Sequence, residues 1–211
     1  MEEELSTKKP WMMFAGICSV VIGIVLLCVI MGGYTSLLRA KSRVNAAKLQ
    51  WTKECAQRSE MVKALSDMAR TSMDPESVDK VLENERQASV VLDRMNEIET
   101  PLDPELILDF KASQTRITQD ISQLVLELEQ NNSVRDSKSY QDLVTSIREH
   151  QEILFYAGRR YNKDARYFNQ RKTVFPGFFV AKWFGLAQIT FPEIPADIFN
   201  ALETGSAKES S

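Results

Sequence analysis

Histidine is almost missing from this chain, cysteine is rare, and glycine and proline are sparse: one His, three Cys, eight Gly and seven Pro in 211 residues. A lone histidine, His150, excludes a two-histidine metal site within one chain. The di-iron signature of helical carboxylate proteins needs a Glu three residues before such a histidine, and Ile147 stands there. Two cysteines, Cys18 and Cys28, fall in an apolar run, leaving Cys55 alone outside it, so no disulfide framework is expected. Few glycines amid abundant Leu, Ala, Glu, Lys, Arg and Gln argue against an all-β fold. Neither the glycine-lysine phosphate loop nor the nucleophile elbow of hydrolases occurs. A net charge of −3 gives no general reason to expect nucleic acid as a partner. The sequence thus offers no catalytic residue, no metal site and no cofactor.

Charge is also missing from Trp11 to Leu38. That run exceeds the roughly 20 apolar residues that cross a bilayer core as a helix. Trp11 and Tyr34 sit near its ends, where amphipathic rings favour the headgroup level. A cleaved signal peptide has a shorter apolar stretch of about 7–15 residues behind a basic start. Here the start is acidic, with Glu2, Glu3 and Glu4 before Lys8 and Lys9, and neither Cys18 nor Cys28 follows a small residue as a lipoprotein signal requires. An uncleaved anchor is expected over residues 11–38, after a short tail of residues 1–10. Arg39, Lys41, Arg43, Lys48, Lys53 and Arg58 follow the run, against Lys8 and Lys9 before it. Six basic residues against two place the body in the cytoplasm and the N-terminus outside.

Apolar residues at helical spacing predict four helices beyond the anchor. The first carries Val44, Ala47, Trp51, Cys55, Val62, Leu65 and Ala69 and has no Pro or Gly after Gly33, so it continues out of the membrane unbroken. The second opens at Asp74-Pro75 and the third at Asp103-Pro104, each an N-cap followed by proline at the first helical position. The fourth follows the polar link NNSVRDSKS and carries Tyr140, Ile147, His150, Leu154, Tyr161 and Phe168. Short links force neighbouring helices antiparallel. The expected fold is all-α: a transmembrane helix, an antiparallel up-and-down four-helix bundle over residues 39–173, and an aromatic tail over residues 174–200, with a disordered end at 201–211.

That topology returns the end of the fourth helix to the membrane, beside the start of the first. Residues 39–70 hold eight basic against three acidic groups, and residues 158–172 hold six against one. Basic clusters next to a span suit anionic headgroups, at about 1 kcal/mol per residue near the surface. Arg39, Lys41, Arg43, Arg159, Arg160, Lys163 and Arg166 are therefore candidate membrane-surface contacts. Phe178, Phe179, Trp183 and Phe184 join them as residues that either insert at the interface or fold back and cap the core. Both placements stay open. Residues 72–109 are acidic, eleven against three, and the link at Asp103 also faces the membrane, so it pairs with basic groups or the bundle tilts.

The stretch Arg159-Arg160-Tyr161-Asn162, then Phe168-Asn169 and Phe175-Pro176, resembles the C-terminal signature of the LemA family. Tyr34, Ser36-Leu37, Val44, Ala47, Arg58, Glu60 and Leu65 are similar to that family's front half; Thr35, Lys48 and Lys63-Ala64 depart from it. The resemblance implies an N-out anchor, a cytoplasmic helical bundle and no catalytic residues. Asn162 and Asn169, seven apart on one helix face, are expected to bond the chain as it enters the tail, and Phe175-Pro176 to end the fourth helix. The function expected is a non-catalytic scaffold or adaptor at the bacterial inner membrane, with the bilayer, an unidentified protein and self-association as partners. The alternative is a membrane-shaping protein binding anionic lipid, since some LemA relatives belong to magnetosome gene sets.

Overall fold

The computed structural model describes the backbone of residues 3–190 and the side chains of residue 11 and of 14–190. Those residues are 87% helix without a strand. Helix α1 spans Glu3–Ala69, 67 residues in one piece, about 100 Å at 1.5 Å per residue. It begins inside the segment read as an N-terminal tail. No proline or helix-breaking pair follows Gly33, so one backbone ladder carries both the apolar run and the first helix of the body. The 201–211 tail and residues 191–200 lie outside the described residues.

Local chemistry sets the other boundaries. Helix α2, Pro75–Glu97, starts where the Asp74 carboxylate accepts the Ser77 amide. Helix α3, Pro104–Gln130, starts where Asp103 accepts the Glu105 amide. In both, proline occupies a position whose N–H has no helical partner. The polar link after α3 is not plain coil: it holds a one-turn helix α4, Asn132–Arg135. Asn131 caps it through the Ser133 amide and donates to the Ser72 hydroxyl, tying this link to the end of α1. Ser137 caps α5, Lys138–Thr173, by accepting the Tyr140 amide. A short helix α6, Gly177–Trp183, follows.

Paired residues give the running directions. Lys48 meets Met95 and Lys63 meets Glu85, so α1 and α2 run oppositely. Gln50 meets Arg160 and Glu54 meets His150, so α1 and α5 do as well. Arg94–Asp109 and Asn84–Asp120 reverse α3 against α2.

The interior has two apolar clusters. The one nearer the apolar run gathers Leu37, Val44, Trp51, Met95, Leu102, Phe110, Leu154, Tyr161 and Phe168. Trp51 is fully buried, edge-on to Phe110 at 4.7 Å and stacked on Tyr161 at 5.6 Å, geometries that add to the area buried. The far cluster holds Val62, Leu65, Val81, Ile117, Leu124, Leu128 and Ile147. Between them, buried Arg58 donates to Gln114 and to Thr118, and buried His150 sits 2.9 Å from the Glu54 carbonyl. Loss of solvation lowers the Arg58 guanidinium to about 10, still charged at neutral pH.

Gly33 has the tightest fit of the glycines in α1. A Cβ there would lie 3.0 Å from the Pro176 ring and 3.2 Å from Val180, whereas one at Gly32 would meet nothing within 4 Å. Gly33→Val is expected to push α6 off α1 at a cost of about 1–3 kcal/mol, read as faster amide exchange across residues 177–183. Gly32→Val serves as the control and leaves that exchange unchanged; equal effects of the two would remove the close-contact explanation.

Candidate functional site

The residues of interest collect where α1 leaves its apolar run, and the α1–α5 pairing brings them there. Because α5 is 36 residues long, its last turns extend past the α2–α3 link to the level of Gly33. That link stops lower. Lys41 pairs with Glu99 at 3.4 Å, Thr100 donates to Asn45, and Lys48 donates to the Met95 and Ile98 carbonyls at the end of α2. The acidic link therefore does pair with the basic start of the body. A lysine ammonium on the last carbonyls of a helix satisfies acceptors the helix leaves open. Burial lowers the Lys48 ammonium, with Glu99 opposing.

Helix α6 buries Gly177, Val180 and Ala181; Val180 lies beside Gly33 of α1, and Gly177 against the end of α5. Gly177 is required there, since a Cβ would come within 2.1 Å of the Arg171 carbonyl. Gly185, at φ 61°, then turns the chain back, a left-handed conformation that glycine adopts without a Cβ clash. The returning strand of chain is fixed by Asn169, which donates to the Ile189 carbonyl at 2.8 Å and accepts the Ile189 amide at 2.9 Å. Tyr161 donates to the Thr190 carbonyl, and Ile189 is buried in the core. Asn169 thus bonds the chain some way beyond the turn rather than at it.

The tail's short helix caps the core, but with Val180 and Ala181 and not with its aromatics. Phe175, Phe178, Phe179, Trp183 and Phe184 are 51–70% exposed. Phe178 and Phe179 meet at 5.6 Å and Phe184 lies on Tyr34 at 4.4 Å, which forms an outward aromatic ledge beside the end of the apolar run. Of the signature residues, Tyr161 and Phe168 are core, Asn162 and Asn169 half-buried, Pro176 packs on Gly33, and Phe175 is exposed.

The candidate basic residues divide too. Arg39 is exposed on α1, and Lys41 is committed to Glu99. Arg43, Arg159, Arg160, Lys163 and Arg166 line one groove between α1 and α5, walled by Tyr156, Tyr167 and Gln170, with Asp164 its single carboxylate. Sequence spacing placed these cations on two helices but not in one groove.

Groups with catalytic potential have structural surroundings. His150 lies against the Glu54 carbonyl, its other ring nitrogen 3.9 Å from the Glu54 carboxylate. Cys55 is buried in the core, and burial pushes its thiol up to about 12, whereas reactive cysteines have lowered values. Among the described residues no group of His, Cys, Asp or Glu is arranged to hold a metal ion.

A family model described as the LemA family matches residues 47–201, well over half of the chain. No curated protein matches.

Two outcomes follow from this geometry. Asn169→Ala removes both bonds to Ile189 and is expected to cost about 1–3 kcal/mol; hydrogen exchange would show the Ile189 amide losing protection, and unchanged protection would remove the clamp. Cys55 is expected to resist maleimide at pH 8 until the chain unfolds. Since its folded value lies above its unfolded one, its contribution to stability is present below the ordinary thiol range and is lost as pH rises towards 12.

Proposed function

The chain belongs to the LemA family, and we propose that it is a single-pass membrane-anchored scaffold or adaptor without catalytic activity, its body an antiparallel up-and-down four-helix bundle on the cytoplasmic face of a bacterial inner membrane. One observation carries the anchoring: the most apolar stretch of α1 is long enough to cross a bilayer, and none of it is buried. A core helix of a soluble protein hides such a face; this one leaves Ile17, Val20, Ile24 and Leu27 each more than half exposed. The basic residues after the run support a cytoplasmic body. Tyr34, the aromatic ledge of α6 and exposed Arg39 lie where an interface would meet them, as amphipathic and basic groups at a span's end do.

The non-catalytic reading is supported by what the reactive groups already do: Cys55 packs in the core and His150 bonds backbone. Support for the scaffold role comes from α1, which runs unbroken from the apolar stretch into the body and carries the body's surface away from that stretch. The ledge gives the membrane-shaping reading its footing as well, but it is also what an anchored scaffold needs to fix its tilt.

Alkaline carbonate washing is expected to leave the chain in the membrane pellet, and non-ionic detergent to release it with one stoichiometric protein partner identified by mass spectrometry. Release by carbonate would overturn the anchoring. Extraction with lipid alone would overturn the scaffold role in favour of membrane organisation.

A further inference from the structure

Two faces of the body carry opposite charge and lie on opposite sides of α1. Lys41, Asn45, Lys48 and Thr52 bond the end of α2 or the link after it, through Glu99, Thr100, Met95 and Asn96. Steps of four, three and four place these residues on one face of the helix. Arg43 and Ala46, which line the basic groove, and Gln50, which accepts from Arg160, share another face. At about 100° per residue, the mean directions of the two sets differ by nearly half a turn. The groove and the α2–α3 corner are therefore held apart within one copy.

Each face has charges that the fold leaves uncompensated. Among the described residues, no carboxylate comes within salt-bridge distance of exposed Arg43, Arg159, Arg160 or Lys163. Arg160 bonds the Gln50 amide oxygen and Arg159 lies over the Phe155 ring, neither of which is an anion. At the corner, Glu99 and Asp109 are paired with Lys41 and Arg94. Exposed Asp93, Glu97, Asp103 and Glu105 have no cation within that distance among the described residues. Both faces also occupy the same stretch of α1. The corner stands level with residues 41–52, and the groove with residues 43–50. In a chain anchored by the start of that helix, groove and corner thus lie at one height above the bilayer in every copy.

We infer that the groove docks the α2–α3 corner of a second copy of this chain in the same membrane, with Arg43, Arg159 and Lys163 facing Asp93, Glu97 and Glu105. The inference rests on the anchoring reading. Exposed Tyr156 in the groove and exposed Ile98 at the corner add apolar area to the contact. Exposed ion pairs are individually weak. A shared bilayer makes several of them sufficient, because it confines the copies to a plane and fixes their orientation before they meet. The contact joins unlike faces, so a pair still has one groove and one corner open, and copies add into a ring or a row.

Energy transfer between donor- and acceptor-labelled copies of the full chain, in proteoliposomes at high lipid excess, tests this. The labels sit at Ser139→Cys, an exposed position near the start of α5, in a chain with Cys18→Ala and Cys28→Ala. Transfer is expected in the parent chain and falls as salt rises. The groove is reversed by Arg43→Glu, Arg159→Glu and Lys163→Glu, and the corner by Asp93→Lys, Glu97→Lys and Glu105→Lys. Either variant alone is expected to associate about tenfold more weakly or worse. Mixing the two sets a reversed groove against a reversed corner and restores transfer. Arg43→Gln with Lys163→Gln, a milder change, is expected to lose part of the transfer. Full transfer in each variant alone, or no restoration from two variants that circular dichroism shows to be helical, would overturn the docking. Carbonate washing separates the two readings: a chain that leaves the pellet defeats the anchoring, while one that stays but shows no transfer defeats only the docking.

Discussion

An unbroken helical ladder from Glu3 to Ala69 makes two unlike surfaces parts of one rod. Its first half presents Ile17, Val20 and Ile24 outward, and its second half buries Val44, Trp51, Val62 and Leu65. Apolar surface without a protein partner is stable only where water is absent. The position of every other element can be measured against that change along α1. Helix α5 reaches it because α5 is long, the α2–α3 link falls short of it, and α6 rests on it because Gly33 has no Cβ in the way.

The body is layered along the same rod. Arg58, Gln114 and His150 separate the two apolar clusters, one from each of three helices. A hydrogen-bonded polar layer of this kind contributes little net stability. Its consequence is register: Gln114 and Thr118 stand one turn apart on α3, so sliding α3 by one turn would leave only one of them opposite the buried Arg58 guanidinium and break the present pair of bonds. The arrangement of α1 against α3 and α5 therefore has few alternatives, and the groove between α1 and α5 inherits that definition.

Local features were the legible ones. Two Asp-Pro pairs marked helix starts through side-chain capping and proline geometry, and the apolar spacing named Trp51, Tyr161 and Phe168 as core. What the sequence left open depends on contacts between distant residues. The return of the tail needs Gly185 in a left-handed turn and Asn169 facing Ile189, twenty residues on. The basic groove depends on the register of α1 against α5, which spacing within either helix does not define. Lys48 stood out as one of the basic residues after the run and as a departure from the family pattern; its bonds to the carbonyl pair ending α2 were not legible. The link NNSVRDSKS concealed α4 because one turn is too short to show a period, although Asn131 and Ser137 are both capping residues.

The central claim is that the outward aromatics of α6 and the apolar stretch of α1 meet the same bilayer. Nitroxide labels at Phe179→Cys and, separately, at Glu129→Cys, in a chain with Cys18→Ala and Cys28→Ala, would measure this in proteoliposomes. Collision with oxygen should exceed collision with a water-soluble nickel chelate at position 179, and the order should reverse at position 129, exposed near the far end of α3. Equal access of the chelate to both positions would contradict the account and leave α6 as a cap on the core alone.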